Sequence, residues 1–571
     1  MDFDPKKYDP QIMYLSMGAF LESNLPTYSG GLEVLAGDIL QSCADLKVPI
    51  AGFIQASNSG YFRQVIDENG WQIEQPVYWA PEKTLPRIKN QRGKTKTITI
   101  KHRGRDLKVG AEVYVLNGQT GFKVPVFLID SNFEENNKDD RLITSHLYDA
   151  NRYTRIPQEN ILGQGSVKLA RALGYNSVKT FHLNEGHACF ATLELLAENG
   201  YSDEEVRKLC VFNTHTPVGA GHDVFEYDDV GAIVGDFLPI HIRKLAGEYQ
   251  FNTTKLATNL SRSVIAVSRK HAEVCREMDV FKGIDINYVT NGVHVRNWAS
   301  EPMSNLFDEY IEGWKKDPRM LDKALKIPIE EFSYAKDLAK RKLIGYINTH
   351  TDARFDQDVM TIVWARRFTD YKRPDLIFKD VDRLMNISEK YGHIQIVFAG
   401  KSHPNDTQGK ERIQEIIKKS KEIDHKVRIT FLPRYNATMA KRLIGGADIW
   451  LNTPLRPQEA SGTSGMKVLC NGGLNMSTYD GWFIEGIEMD PNIGWVIGPR
   501  QEQTKTNPDR RKDDWDDAQG LYDSLEDVIK VYYDNEKEWA NRGLHAVTLA
   551  AHFNTHRVVK EYAEKAWNIK I

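Results

Sequence analysis

The chain has 571 residues, and at about 150 residues per domain this allows roughly four small domains or two large α/β ones. It is 41% hydrophobic and 27% charged, with 41 Gly and 22 Pro, which is ordinary globular composition and excludes disordered, collagenous and disulfide-scaffold classes. The 75 basic and 78 acidic residues leave a net charge of −3, so a whole-chain nucleic-acid footprint is excluded and any anion site must be a local cluster.

The N-terminal segment MDFDPKKYDP mixes acids and bases, and the apolar stretch Ile12–Leu21 after it carries Ser16 and Gly18 and lacks a cleavage pattern, so it is predicted to be a buried strand. No run approaches the 18 or more apolar residues that a membrane span needs. The five cysteines are scattered, with no C-x-x-C pair, which predicts reduced structural thiols and a cytoplasmic protein without a zinc site.

Short β-branched apolar runs then recur between helix-length segments. They are Val48–Gln55, Val124–Asp130, Val178–Asn184, Leu209–His215, Val264–Ser268 and Ile286–Gly292, followed by Val359–Arg367, Ile394–Gly400, Val427–Pro433 and Ala447–Thr453. Continuous apolar strands without alternation suit parallel sheets covered on both faces, and the alternation with helices predicts a doubly wound α/β fold. Two stretches break the rhythm. Lys94–Val115 alternates polar and apolar residues and predicts an antiparallel ribbon, whereas Asn297 to about Asn348 is charged, helical sequence that bridges two sheets. Gln501–Asp517 reads as a polar surface loop, and the last fifty residues as helices, with Asn554 an N-cap.

Ligands of open α/β sheets bind beyond the carboxyl ends of the strands, where this chain is chemically rich. RRFTDYKR (Arg366–Arg373) follows an apolar strand with four cations in eight residues, a set suited to a dianion or to a solvated turn. QEASGTSGMKVLCNGG (Gln458–Gly473) is a small-residue turn carrying Lys467. It suits anion binding, a lysine anchoring pyridoxal phosphate as a Schiff base, or a structural turn, and it does not match a P-loop. YSGGLEVLAGDIL (Tyr28–Leu40) opens a second helix with a Gly pair, which suggests a ligand clasped between two halves. HLNEGH (His182–His187) and NTHTPVGAGHD (Asn213–Asp223) end strands in mixed donors and acceptors. A metal set of His187, His215, His222, Glu185 and Asp223, satisfied core histidines, and a sugar site compete there, and with Asn291 in VTNGVH the sugar site fits best.

EASGTSGMK with NGG and DGWFIEG after it, together with YSGGLEVLAGD, HLNEGH, NTHTPVGAGHD, TNGVH, RRFTDYKR and FAGKSHP, resembles the α-glucan (glycogen, starch and maltodextrin) phosphorylase family in its short form. These motifs run in family order from Tyr28 to Glu485. The resemblance implies a GT-B fold of two Rossmann-like domains facing a cleft, 1–290 with the ribbon near 94–116 and 291–571 with a helical bridge at 291–348. It also implies pyridoxal 5′-phosphate, with Lys467 as the tethering lysine, Gly31, Thr463, Ser464 and Lys372 around the cofactor phosphate, and Arg367 with Lys372 beside inorganic phosphate. His215, Asn291, Tyr371, Glu459, Ser461 and Gly462 correspond to contacts with the terminal glucose, and Glu185 and His187 line that pocket. The implied reaction is phosphorolysis of α-1,4-glucan or maltodextrin to α-D-glucose 1-phosphate with retention, the cofactor phosphate relaying a proton.

The same resemblance implies no metal, nucleic acid or membrane, no transferred allosteric control, and a family in which homodimers are common. Two departures mark this chain. Glu33 stands where the family pattern has a glycine or a basic residue, and Ala56–Ser59 (ASNS) replaces aromatic and basic residues before GYF. Rival readings are a nucleotide-sugar-dependent glucosyltransferase of the same fold, which has no need of Lys467, and a catalytically degenerate glucan-binding protein.

Overall fold

The fold is taken from a computed structural model that describes residues 4–90, 92–149 and 151–571, so the first three residues of the N-terminal segment lie outside it. The apolar runs form two sheets. The larger runs, in spatial order, Ile286–Tyr288, Ser263–Ala266, Cys210–Asn213, Thr180–Asn184, Ile12–Leu15, Ile50–Gln55, Lys123–Asp130, Arg105–Asn117 and Ile98–His102. Its strands are parallel as far as Lys123–Asp130, with Ile12 paired to both Ile50 and Thr180. The second sheet is parallel throughout, in the order Arg428–Leu432, Ile394–Ala399, Met360–Ala365, Ile449–Asn452, Leu474–Thr478 and Gly494–Ile497. Ile50–Gln55, Met360–Ala365 and Ile394–Ala399 are buried at every position, as strands covered by helices on both faces must be.

Three readings of the sequence change in detail. The antiparallel ribbon expected at Lys94–Val115 is present as Ile98–His102 paired with Arg105–Asn117, and because Arg105–Asn117 also pairs antiparallel with Lys123–Asp130 the ribbon extends the main sheet. The predicted strand Ile12–Leu21 stops at Leu15, and Ser16 to Phe20 continue as a buried loop in which the Ser16 hydroxyl donates to the Gly18 carbonyl (2.9 Å). The loop predicted at Gln501–Asp517 contains the start of a helix, Arg510–Asp534, whose N-cap Asp509 accepts from the Lys512 N–H. Leu474–Thr478 and Gly494–Ile497 were not legible as strands, since LNMST is partly polar and GWVI is only four residues long; the first pairs with Ile449–Asn452 and the second with the first.

Between the sheets the chain is helical, through Val295–Trp298, Glu301–Tyr310, a 3-10 segment Pro318–Lys326 and the long helix Ile329–His350. The C-terminal helix Thr555–Tyr562 returns to the first sheet. Val558, Val559, Tyr562 and Trp567 share a core with Ile12, Tyr14 and helix Gly31–Asp45, and the Trp567 indole N–H donates to His182 Nδ1 (3.0 Å). Asn554 caps this helix by accepting the Arg557 N–H (2.9 Å). All five cysteines are buried and free, and among the described residues no helix is long and apolar enough to cross a membrane.

Helix Gly31–Asp45 lies against the Phe20 backbone at Gly37, where a Cβ would come within 1.9 Å of the Phe20 carbonyl oxygen. Gly37→Ala therefore has to displace the helix or the buried loop, and we expect a loss of about 1–3 kcal/mol, measured as a lower denaturant midpoint at unchanged m-value.

Candidate active site

Each sheet has a point where successive strands leave in opposite directions. Numbered along the chain, the second sheet has the order 3-2-1-4-5-6, so Met360–Ala365 lies beside Ile449–Asn452, and in the first sheet Ile12–Leu15 likewise lies beside Thr180–Asn184. The crevice beyond such a switch point is where doubly wound sheets bind ligands. Four segments leave these strand ends: Ser16–Phe20, Glu185–His187, Arg366–Arg373 and Thr453–Gly465.

On the second sheet, Glu459 accepts from Arg366 Nη2 (2.7 Å) and from the Lys372 ammonium, whose Nζ also lies 4.4 Å from the centre of the Tyr371 ring. Burial pushes the Glu459 carboxyl up, but Arg366 and Lys372 outweigh it and hold the pKa down at about 2. One carboxylate between two cations leaves an excess positive charge. Arg367, next in the chain, adds a third cation with an exposed surface. The turn Ala460–Ser464 wraps this cluster. Gly462, at φ +78°, lies with its Cβ position 3.6 Å from Glu459 Cδ and 3.7 Å from Arg366 Nη2, Ser461 accepts the Trp482 N–H (3.0 Å), and Ser464 accepts the Trp450 indole N–H (3.1 Å).

Lys467 is one turn into the short helix Ser464–Leu469 and is 7% exposed. Its Nζ lies 4.0 Å from the ring centre of Trp298, whose indole N–H donates to Asp38 (2.7 Å). Burial lowers the Lys467 pKa to about 8. Asp38 and Cys470 oppose the shift, and Lys441, over the same indole, adds to it. A desolvated lysine beside a second cation is the usual setting of a nucleophilic amine.

Lys467 follows directly on the turn whose Gly462 lies against Glu459 and Arg366, and helix Gly31–Asp45 reaches the lysine's side through Asp38, which accepts from the Trp298 indole on which Lys467 packs.

On the first sheet, Glu185 adopts φ 79°, ψ 165°, a conformation rare outside glycine. Its carboxylate accepts from the Gly186 N–H (3.0 Å), the Thr214 hydroxyl (3.2 Å) and the His215 N–H, which holds it there. His215 Nε2 bonds Asn184 Oδ1 (2.9 Å), and His187 Nε2 accepts the Met17 N–H (3.3 Å). Burial lowers both imidazoles to about 3, so they act as neutral donors and acceptors at physiological pH. The Asn291 side-chain oxygen is buried without a partner. Several linkages hold this half to the other, two of them close to the site. Ser268 donates to the Ala460 carbonyl (2.5 Å), and Thr290 donates to Glu485 (2.8 Å).

The structure does not assemble the metal alternative weighed for the histidines. His222 bonds Thr254 (2.9 Å) and Asp223 pairs with Arg155 (2.6 Å), and among the described residues the group within ligand reach is instead Asp45, His294 and His556. Sequence reasoning also missed Arg366 as the partner of Glu459, and Trp298, Asp38 and Lys441 around the lysine. Asp38 and Trp298 meet across 260 positions, a pairing that no local pattern reports.

Pyridoxal phosphate needs a primary amine to tether it, cations and N–H groups for its phosphate, and a face to pack on. Lys467, the Arg366–Lys372–Arg367 cluster with the turn Ser461–Ser464, and the Trp298 indole meet these needs. The Arg366 Nη1 and Asn452 Oδ1 atoms, buried without partners, offer further polar contacts. The residues fit the group.

The sequence profile of a family described as carbohydrate phosphorylase matches residues 239–519. A maltodextrin phosphorylase of Thermococcus litoralis is 36% identical across 98% of this chain and 71% of its own length. Glycogen phosphorylases of Aquifex aeolicus and Mycobacterium tuberculosis are each 34% identical, across 98% and 97% of this chain and 86% and 70% of their own lengths. With relatives at 34–36% identity aligned over 97–98% of this chain, and a buried lysine behind a turn that packs on a cation cluster, the chain belongs to the carbohydrate phosphorylase family.

Proposed function

We propose that this protein cleaves α-1,4-glucan or maltodextrin with inorganic phosphate, releasing α-D-glucose 1-phosphate with retention of configuration, in the cleft between two Rossmann-like lobes arranged as in GT-B enzymes. The observation that carries the reading is Lys467, a buried amine near pKa 8 stacked on Trp298 and placed just behind the turn that lies against Glu459 and Arg366. Lys467 would tether pyridoxal 5′-phosphate, with Gly31, Thr463, Ser464 and Lys372 around its phosphate. When bound, the cofactor supplies a phosphate able to pass a proton to the attacking phosphate.

The remaining work falls to the chain. Two phosphates in contact repel by about 4 kcal/mol per unit-charge pair at 4 Å and an effective dielectric of 20. Arg366, Arg367 and Lys372 bring three cations to offset that repulsion, and Glu459 holds two of them in place beforehand. Glu459 and the Ser461–Gly462 turn face the sugar from one side, while His215, Asn291 and Tyr371 offer donors and acceptors to its hydroxyls. Neutral His187 and the Glu185 carboxylate complete the pocket on the first sheet.

The direct test is glucose 1-phosphate release from maltodextrins of graded length, with and without phosphate. Release that depends on phosphate, together with hydride reduction that fixes the cofactor on the peptide containing Lys467, is the expected result. Sugar transfer from a nucleotide donor without phosphate dependence would overturn it.

A further inference from the structure

Asp45 is the last residue of helix Gly31–Asp45, at the negative end of the backbone dipole, and the last turn of that helix has no basic residue. A carboxylate at that end is disfavoured unless something positive lies against it. Its Oδ1 accepts the Gln119 N–H (3.0 Å) and the Gln41 amide (3.4 Å). On Oδ2 two imidazoles converge, His294 Nε2 at 2.8 Å and His556 Nε2 at 3.3 Å. The three side chains are buried, come from three separate elements, and bring their ligand atoms within 4.8 Å of one another.

This is the geometry of a metal site. An ion about 2.1 Å from each ligand atom makes angles of about 85° between Asp45 and His294 and about 105° between Asp45 and His556, which suits a four-coordinate centre whose last ligand is water. His294 Nδ1 is buried without a partner, so no bond on the far side of the ring holds the proton at Nε2. The proton can sit on Nδ1 and leave the Nε2 lone pair to a cation, and the metal bond outweighs one unsatisfied N–H. Burial raises the Asp45 carboxyl, but the hydrogen bonds from His294 and His556 outweigh it and hold it well below the usual carboxylate range. Burial also lowers His556, so Asp45 is ionised and His556 neutral, the forms that ligate.

The place of the cluster gives it a role. The chain passes between the two sheets twice, after Ile286–Tyr288 and again before helix Thr555–Tyr562, and the two passages pair with each other. The Val293 N–H donates to the Phe553 carbonyl (3.1 Å) and the Thr555 N–H to the Val293 carbonyl (3.0 Å). At Gly292 a Cβ would come within 2.5 Å of the Asn554 backbone. His294 and His556 each follow directly on this paired crossing, and both meet Asp45.

We propose that Asp45, His294 and His556 form a site for a divalent transition metal of the zinc class, which pins both passages between the sheets to helix Gly31–Asp45. Two imidazoles and one carboxylate select zinc over magnesium or calcium, which take oxygen shells. The proposal is independent of the phosphorolytic reading.

The readout is zinc itself. Metal content of the purified holoprotein, and equilibrium dialysis of the chelator-treated protein against zinc sulfate, should give one zinc per chain with a micromolar or tighter Kd. Zinc, and not magnesium, should raise the melting temperature. His294→Ala and His556→Ala should each weaken zinc binding by about 100-fold or more, and cobalt should give visible absorption bands in the parent that both variants lose. Far-UV circular dichroism checks that the variants fold, and His556→Gln replaces any that does not. Failure of the parent to take up zinc overturns the proposal whatever the variants do. Uptake that persists unchanged in the variants places the metal elsewhere and overturns it equally. Absence of glucose 1-phosphate release would remove phosphorolysis and leave the zinc result standing.

Discussion

Lys467→Ala is expected to lower phosphate-dependent release of glucose 1-phosphate by about three orders of magnitude or more, the range lost when a positioned proton donor is removed. The lysine does not serve the reaction by its charge. On the proposed reading it is the attachment point of the group that carries the proton, and its amine lies 7% exposed against the Trp298 ring. The variant should fold, since burial already disfavours the ammonium form and alanine removes that penalty. Intact far-UV circular dichroism with loss of the bound cofactor's absorbance is the expected signature. A transferase using a nucleotide sugar on this fold would keep its activity, and that outcome would refute the phosphorylase reading. The same amine makes a pH prediction. Only its uncharged form attacks an aldehyde, and its pKa is lowered to about 8. Attachment of pyridoxal phosphate to the apoprotein should therefore be near its plateau above pH 8 and slow by about tenfold per unit below it. A profile still rising steeply to pH 10 would mean an amine that is not desolvated.

Asp517→Ala should be the most damaging single change to stability, at about 3–5 kcal/mol. Asp517 is fully buried and accepts from both Arg373 Nη2 (2.6 Å) and Arg456 Nη2 (2.6 Å). Arg373 in turn donates to the carbonyls of Thr453 (2.9 Å) and Pro454 (3.0 Å), and Arg456 to that of Pro499 (2.8 Å). Removing the carboxylate leaves two buried guanidinium groups, with Asp514 (3.0 Å from Arg373) as the remaining acid partner. Both arginines belong to segments that carry site residues, Arg366–Arg373 and the turn leading to Glu459. Activity at temperatures below the lowered midpoint should therefore fall as well, through a raised KM for phosphate. Asp517→Asn, which keeps one acceptor oxygen, should recover part of the stability. A melting temperature unchanged in the alanine variant would show that solvent reaches these arginines.

These expectations draw unequally on what could be read before the fold was known. Ten apolar runs were placed within a few residues of observed strands, because a strand buried on both faces advertises itself through local composition alone. The chemistry at their carboxyl ends was legible for the same reason, as four cations after VMTIVWA and a lysine behind a turn of small residues are contiguous in the chain. Several real strands escaped, among them Arg63–Ile66, Gln72–Gln75, Leu474–Thr478 and Gly494–Ile497, since their identity comes from the neighbour they pair with rather than from their own residues.

The order of residues thus settled which segments are strands, where the reactive lysine and cations fall, and which family the motifs resemble, all of them properties carried by short stretches of chain. Folding decided which cation Glu459 holds, that Arg366 shares it with Lys372, and that Trp298, Asp38 and Lys441 tune the amine. Those are relations between side chains tens to hundreds of positions apart, and electrostatic energy depends on distance in space and on burial, neither of which a linear pattern contains.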